Sequence, residues 1–77
     1  MQIGCGTYVA EIHGRPYLYF WHYETRVGGR VQVKEYVGPA DAARTRAEAA
    51  RRCEGYFARA EEELRGIRQV TVAALQR

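Results

Sequence analysis

Two adjacent glycines, Gly28 and Gly29, divide the first half of this 77-residue chain more sharply than any other feature. Segments of strand length, rich in aromatic and β-branched residues, flank them at about 16–26 and 30–37. A two-residue hairpin turn needs positive φ angles, which glycine adopts without steric cost. The glycine pair therefore predicts a tight antiparallel hairpin.

The turn also sets a register and assigns each side chain to a face. The expected cross-strand partners are Val27 with Arg30, Tyr23 with Lys34, Trp21 with Tyr36, and Phe20 with Val37. Because side chains alternate along a strand, one face should carry the rings and cations, at Tyr17, Tyr19, Trp21, Tyr23, Arg30, Gln32, Lys34 and Tyr36. The other face is mainly aliphatic, with Leu18, Phe20, His22, Val31, Val33, Glu35 and Val37, and should receive any helix.

A further strand is expected at about 7–13, before a loop that ends near a proline. Whether this loop has an odd or even number of residues decides which face each side chain takes. We expect Tyr8, Ala10 and Ile12 to point towards the helix, because the opposite choice would bury Glu11 and His13.

The sequence after Pro39 is rich in alanine, glutamate and arginine and contains no further proline, which predicts a long helix. The expected fold is α+β, in the order β-β-β-α. It forms one domain of residues 1–77, with the sheet in 1–38 and the helical region in 39–77. A break near Gly66 is expected, since glycine costs about 1 kcal/mol in a helix interior. Residues 67–75 have enough β-branched content to form a strand instead.

Helix positions spaced alternately by three and four residues form an almost continuous apolar seam. They are Ala43, Arg46, Ala50, Cys53, Phe57, Ala60, Leu64, Ile67, Thr71 and Ala74. A helix over 40–77 would be about 57 Å long, more than a three-stranded sheet can cover. We therefore expect a homodimer, in which the surplus seam packs against a second copy.

Aromatic rings standing among cations on an open sheet can contact bases and sugars while the cations neutralise phosphates. We expect double-stranded DNA to bind there with little sequence preference, as in a chromatin or architectural protein. The candidate binding residues are Tyr17, Tyr19, Trp21, Tyr23, Arg26, Arg30, Lys34 and Tyr36. Two alternatives stay open: a protein-protein interface that uses the same rings, and RNA binding.

The stretches GRPYLYFW and GGRVQVKEYVG, followed by a charged helix, resemble small archaeal and mobile-element proteins. In plan they are similar to the seven-kilodalton archaeal chromatin proteins and to the three-stranded arm-binding domains of integrases. The resemblance covers about 13–38 and implies DNA bound on a sheet face through Tyr19, Trp21, Arg30 and Lys34. Those chromatin proteins are rich in lysine, whereas this chain has one lysine and eleven arginines.

The net charge of +3 and the pI near 9.1 favour polyanionic partners. Helical pairs such as Glu48 with Arg44 and with Arg52, and Glu61 with Arg65, are spaced for ion pairs on a solvated face. The chain has no recognisable catalytic motif, so we expect no enzyme activity, no small-molecule substrate and no cofactor.

The two cysteines and two histidines invite comparison with a zinc site, but their spacing lacks the short pairs that hold a tetrahedral metal, so no metal is expected. Cys53 is interpreted as a small buried apolar residue, and a Cys5–Cys53 disulfide is an alternative. His22 should form an ion pair with Glu35 across the hairpin. The sequence contains no membrane-spanning apolar run and no secretion signal, so a cytoplasmic, nucleoid-associated location is expected.

Overall fold

The computed structural model describes residues 4–77, which form three strands followed by one helix. The elements are β1 (Cys5–Ile12), β2 (Arg15–Arg26), β3 (Gly29–Pro39) and α1 (Ala43–Leu75). The strands pair antiparallel in the order β1-β2-β3. The predicted α+β fold with β-β-β-α order is therefore confirmed.

The hairpin between β2 and β3 turns one residue earlier than predicted. Val27 and Gly28 form the turn, and Arg26 pairs with Gly29. The observed partners include Tyr23 with Gln32, Trp21 with Lys34, and Tyr19 with Tyr36, so the predicted register was wrong by two residues. Because a shift of two residues preserves the alternation, each of these side chains still lies on the face predicted for it.

The turn between β1 and β2 contains only His13 and Gly14, with φ angles of 51° and 75°. Two positive φ angles are typical of a primed hairpin turn, and histidine adopts this conformation more readily than most residues. The turn places Tyr8 opposite Tyr19 and Ile12 opposite Arg15. The prediction that Tyr8, Ala10 and Ile12 face the helix was therefore wrong. They share the face of Tyr17, Tyr19 and Trp21.

The pairing of β2 with β3 is interrupted between Leu18 and Tyr19, where β3 contains one extra residue. Tyr19 pairs with Tyr36 and Leu18 with Gly38, so Val37 is the bulged residue. The bulge carries Gly38 under the first turn of α1. A Cβ atom added to Gly38 would lie 2.6 Å from Thr45 Oγ1, so the close approach of helix and strand requires glycine here.

The core lies between α1 and the inner face of the sheet, defined as the face that α1 covers. Its buried apolar residues are Leu18, Phe20 and Ala49, and the buried polar residues are His22 and Thr45. Ala43, Arg46 and Ala50, which the predicted seam placed against the sheet, are exposed. The contact between Gly38 and Thr45 fixes the rotation of the helix and brings Thr45, Ala49 and Tyr56 inwards instead.

The helix continues without a break through Gly66 and ends at Leu75. The expected break at Gly66 and the alternative strand at 67–75 are both wrong. Every residue from 61 to 77 is exposed. Within the described residues, α1 has no stretch that is both long and apolar enough to cross a membrane.

The two cysteines meet where α1 crosses the start of β1. Both are free thiols, and the Cys5 thiol forms a hydrogen bond with Cys53. Burial, this hydrogen bond and the neighbouring Cys53 charge raise the pKa of Cys5 from 9.0 to about 11. The pair therefore consists of packed thiols, and the alternative of a disulfide is not observed.

The substitution Gly38→Ala should destabilise the fold, because its methyl group would meet the Thr45 hydroxyl. The expected loss is about 1–3 kcal/mol in the free energy of unfolding, measured by urea denaturation. Gly66→Ala is the matched control: nothing lies within 4 Å of a Cβ atom there, and alanine favours the helix by up to about 1 kcal/mol. Equal stability of the two variants would contradict the proposed role of Gly38.

At pH 9 the Cys5 thiol of the folded protein should react with iodoacetamide much more slowly than in the urea-unfolded chain. The thiolate is the reactive form, and a pKa of about 11 leaves only about a hundredth of the thiol ionised at this pH. Mass spectrometry of the alkylated Cys5 peptide measures both rates. Equal rates in the two states would show that the thiol is not protected by the contact of α1 with β1.

Candidate nucleic-acid interface

The outer face of the sheet, defined as the face that α1 does not cover, carries six aromatic side chains. Residues directly opposite each other in antiparallel strands project to the same side, so the observed pairing assigns the face. The six, called the aromatic face below, are Tyr8, Tyr17, Tyr19, Trp21, Tyr23 and Tyr36. Five of them were predicted, and the structure brings these five together.

Four tyrosines of the aromatic face form one connected cluster. The rings of Tyr8 and Tyr19 stack with their centroids 5.1 Å apart and their planes 8° from parallel. Tyr36 meets the edge of Tyr19 at 5.7 Å and lies 6.0 Å from Tyr17. Such offset and edge contacts between rings are favourable beyond the area they bury. The cluster is a surface of rings that lie close to the sheet.

Trp21 and Tyr23 form a second pair on the same face, with centroids 5.6 Å apart. The Trp21 indole lies against Gly6 of β1, where an added Cβ atom would be 2.9 Å from Trp21 Cζ2. Tyr23 similarly lies over Gly4. The glycines of β1 therefore leave room for these two rings to lie flat, and Trp21 is half-buried by its own sheet and not by α1.

Three cations share the outer face with these rings. The Arg30 guanidinium lies 4.9 Å from the centre of the Tyr23 ring, and Lys34 Nζ lies 5.8 Å from the centre of the Tyr8 ring. Cations at these distances are attracted by the negative face of the ring. Arg15, at the start of β2, projects to the same side, because it pairs with Ile12.

The carboxylates of the sheet lie on the opposite side. Glu11, Glu24 and Glu35 all project to the inner face, since they pair with Pro16, Val31 and Phe20 respectively. Among the strand residues of the structure, spanning 5–39, the outer face has three cations and no carboxylate. Positive charge is therefore concentrated on the aromatic face, although the net charge of the whole chain is only +3.

Arg26, which was predicted to contact phosphate, does not lie on this surface. It projects to the inner face and donates two hydrogen bonds to Glu24 Oε2, at 2.8 and 3.2 Å. The hydrogen bond from Arg26 lowers the pKa of Glu24, and the charges of Arg26 and His22 lower it further. Arg26 follows Tyr23, the last ring of β2, by three residues, so its side chain projects to the opposite face.

The inner face holds a chain of polar contacts that ties the sheet to α1. His22 Nε2 lies 3.0 Å from Glu35 Oε1, which confirms the predicted contact of these two residues. They lie along a diagonal of the hairpin, because the cross-strand partner of His22 is Val33. Arg52 of α1 donates to Glu35 Oε2 at 3.3 Å and to Glu48 Oε1 at 3.2 Å. Two inner-face carboxylates are thus held by neighbouring cations: Glu24 by Arg26 and Glu35 by Arg52.

Tyr56 completes the joint between helix and sheet. Its hydroxyl accepts a hydrogen bond from the Gly4 amide at 3.1 Å and donates one to the Tyr23 carbonyl at 3.4 Å. Its ring lies 5.8 Å from the His22 ring. Tyr56 therefore fixes the strand segment that presents Trp21 and Tyr23 on the other side of the sheet.

Three of the helical arginines pair with glutamates of their own helix. Arg51 and Arg52 both donate to Glu48, and Arg65 lies 3.5 Å from Glu62. The hydrogen bonds from Arg51 and Arg52 lower the pKa of Glu48. Of the predicted pairs, Glu48 with Arg52 is confirmed. Among the described residues, Arg44 forms no ion pair with Glu48, and Arg65 pairs with Glu62 and not with Glu61.

Sequence reasoning missed two members of the outer surface, Tyr8 and Arg15. The dipeptide His13-Gly14 was the feature that could have identified both. It forms the whole turn between β1 and β2 and so determines which face each side chain of β1 takes. The same turn separates His13 from the rest of the four-residue set considered for zinc, since Cys5, His22 and Cys53 lie at the opposite end of β1. In residues 4–77 no three histidine, cysteine, aspartate or glutamate side chains form a metal-binding group.

Comparisons with protein-family models, with curated proteins and with solved structures gave no match to this chain.

Proposed function

We propose that this protein binds double-stranded DNA through the outer face of its sheet, with little sequence preference, as a chromatin or architectural protein does. The observation that carries the proposal is the separation of charge: Arg15, Arg30 and Lys34 stand among the rings, while the sheet's carboxylates lie on the inner face. A surface of this kind attracts phosphates and offers flat apolar contacts to sugars and base edges.

The packing of the rings favours a duplex over single strands. Base stacking needs a free ring face, but Tyr8 and Tyr19 already stack on each other and Trp21 lies against Gly6. Tyr36, with 54% of its surface exposed, is the most accessible of the six rings. The remaining rings form a flat surface close to the sheet. Such a surface can contact a groove of the duplex, where sugars and base edges are accessible.

The aromatic face is also a large apolar patch, which in a monomer marks an interaction site. A protein partner could cover the same rings, and this is the competing function. Charge favours nucleic acid, because a surface with cations and no carboxylate suits a partner that is uniformly negative.

The substitution Arg30→Gln should weaken duplex binding, whereas Arg26→Gln should have little effect. Both variants lose one positive charge from the same hairpin, but only Arg30 projects to the outer face. The measurement is fluorescence anisotropy of a short labelled duplex, with single-stranded DNA and RNA of the same sequence as competitors. Equal weakening by the two variants would contradict the proposed face. If RNA or single-stranded DNA competed more strongly than the duplex itself, that nucleic acid would be identified as the ligand.

The affinity for duplex DNA should fall as salt rises from about 50 to 200 mM. If three cations each neutralise one phosphate, the slope of log K against log salt is about −2.7 per bound chain, and Arg30→Gln should reduce its size by about 0.9. A slope near zero, or no binding at the lowest salt, would favour a protein partner for the aromatic face.

Titration with duplex DNA should also quench the fluorescence of Trp21, the only tryptophan in the chain. The indole lies on the outer face between Gly6 and Tyr23, so a bound duplex changes its surroundings directly. Unchanged emission at saturating DNA would exclude binding on this part of the sheet. Arg26→Gln is again the control: DNA should quench its Trp21 fluorescence as strongly as in the unaltered protein.

A further inference from the structure

The second half of α1 carries an apolar stripe that extends beyond the sheet. This stripe, called the distal stripe below, consists of Phe57, Ala60, Leu64, Ile67, Thr71 and Ala74. Phe57, Leu64 and Ile67 are 45%, 52% and 48% exposed. In residues 4–77, Tyr56 is the last helix residue that forms a hydrogen bond with the sheet. About 28 Å of helix therefore runs on with an unpacked apolar side.

A helix of this kind is stabilised mainly by burying its apolar side, and Gly66 in its middle weakens it further. The steps of three and four residues along the distal stripe are the spacing with which two helices pack side by side. Leu64, Ile67 and Thr71 also line a shallow, open groove on this side of α1, which Glu61 and Arg68 border.

We propose that a second copy of this chain covers the distal stripe by packing its own distal stripe against it in antiparallel orientation. The position of the sheet determines the orientation. In its first half, α1 packs on its own sheet through Ala49, Cys53 and Tyr56, and only Cys53 continues the spacing of the distal stripe, so the sheet lies on an adjacent side of the helix. In a parallel pair, the two sheets would lie at the same end, each beside the first half of the other helix. In an antiparallel pair, the two sheets lie at opposite ends.

The antiparallel pair has a preferred register. With Leu64 beside Ile67 of the second copy, the two-fold axis passes between Arg65 and Gly66. Ala60 then lies beside Thr71 of the second copy, and Phe57 beside Ala74. Every large side chain of the distal stripe meets a neighbour, so the stripe is covered along its whole length.

Charge selects this register over its neighbours. Glu61 and Arg68 border the distal stripe on the same side, and the two-fold axis places Glu61 of each copy beside Arg68 of the other. Two reciprocal ion pairs result. Sliding the helices by one heptad brings either the two Arg68 side chains or the two Glu61 side chains together, and like charges at such positions are destabilising.

This inference does not depend on DNA binding and is tested without nucleic acid. Light scattering at about 100 μM chain should give twice the chain mass of 8.8 kDa, since this concentration is well above a dissociation constant of about 1 μM. Leu64→Glu should reduce the mass to that of one chain, while circular dichroism still shows the sheet and helix. A single-chain mass for the unaltered protein would overturn the proposal.

A charge exchange tests the antiparallel register. Glu61→Arg and Arg68→Glu should each raise the dissociation constant about tenfold or more, because each variant creates two like-charge pairs. The double variant Glu61→Arg/Arg68→Glu should recover the original value. In a parallel pair the carboxylate introduced at position 68 would instead meet Glu63 of the second copy, so binding would stay weak.

Glu62→Arg is the matched control, since it makes the same charge change one residue away. Glu62 lies on the far side of the helix and pairs with Arg65 of its own chain, so the dissociation constant should be unchanged. Failure of the double variant to recover binding would overturn the antiparallel register, as would an effect of Glu62→Arg equal to that of Glu61→Arg.

Discussion

Side chains in an antiparallel sheet alternate between its two sides, and each turn determines the side on which the next strand begins. In this protein the turns at His13-Gly14 and Val27-Gly28 both contain two residues. They bring six rings and three cations to one side of the sheet and its carboxylates to the other. The packing of α1 and the outer surface both follow from this assignment, because α1 can cover only the side that carries Leu18 and Phe20.

Sequence patterns predicted the order of elements and the faces of β2 and β3, because alternation depends on odd or even spacing and not on the register itself. The predicted register of the hairpin was wrong by two residues, yet Trp21 and Lys34 lie on the predicted side of the sheet. The face of β1 could not be predicted in the same way. It depended on His13 adopting a positive φ angle, which residue type alone does not determine.

The helix shows a different limit of sequence reasoning. A helix after Pro39 was predicted correctly, but the residues that face the sheet in its first half were not. The bulge at Val37 and the contact of Gly38 with Thr45 set the rotation of α1, and neither leaves a local signal in the sequence. The helix also passes through Gly66, where a break was expected on the basis of intrinsic propensity, which is easily outweighed in context.

All hydrogen bonds between α1 and the sheet are made by residues up to Tyr56, within the described part of the chain. The remaining helical residues continue beyond this joint as a helical rod of about 28 Å. A tilt of about 10° at the joint would therefore move the far end of the rod by about 5 Å. A flexible linker would allow many separations between the sheet and the far end of the chain, whereas a continuous helix keeps this separation nearly constant.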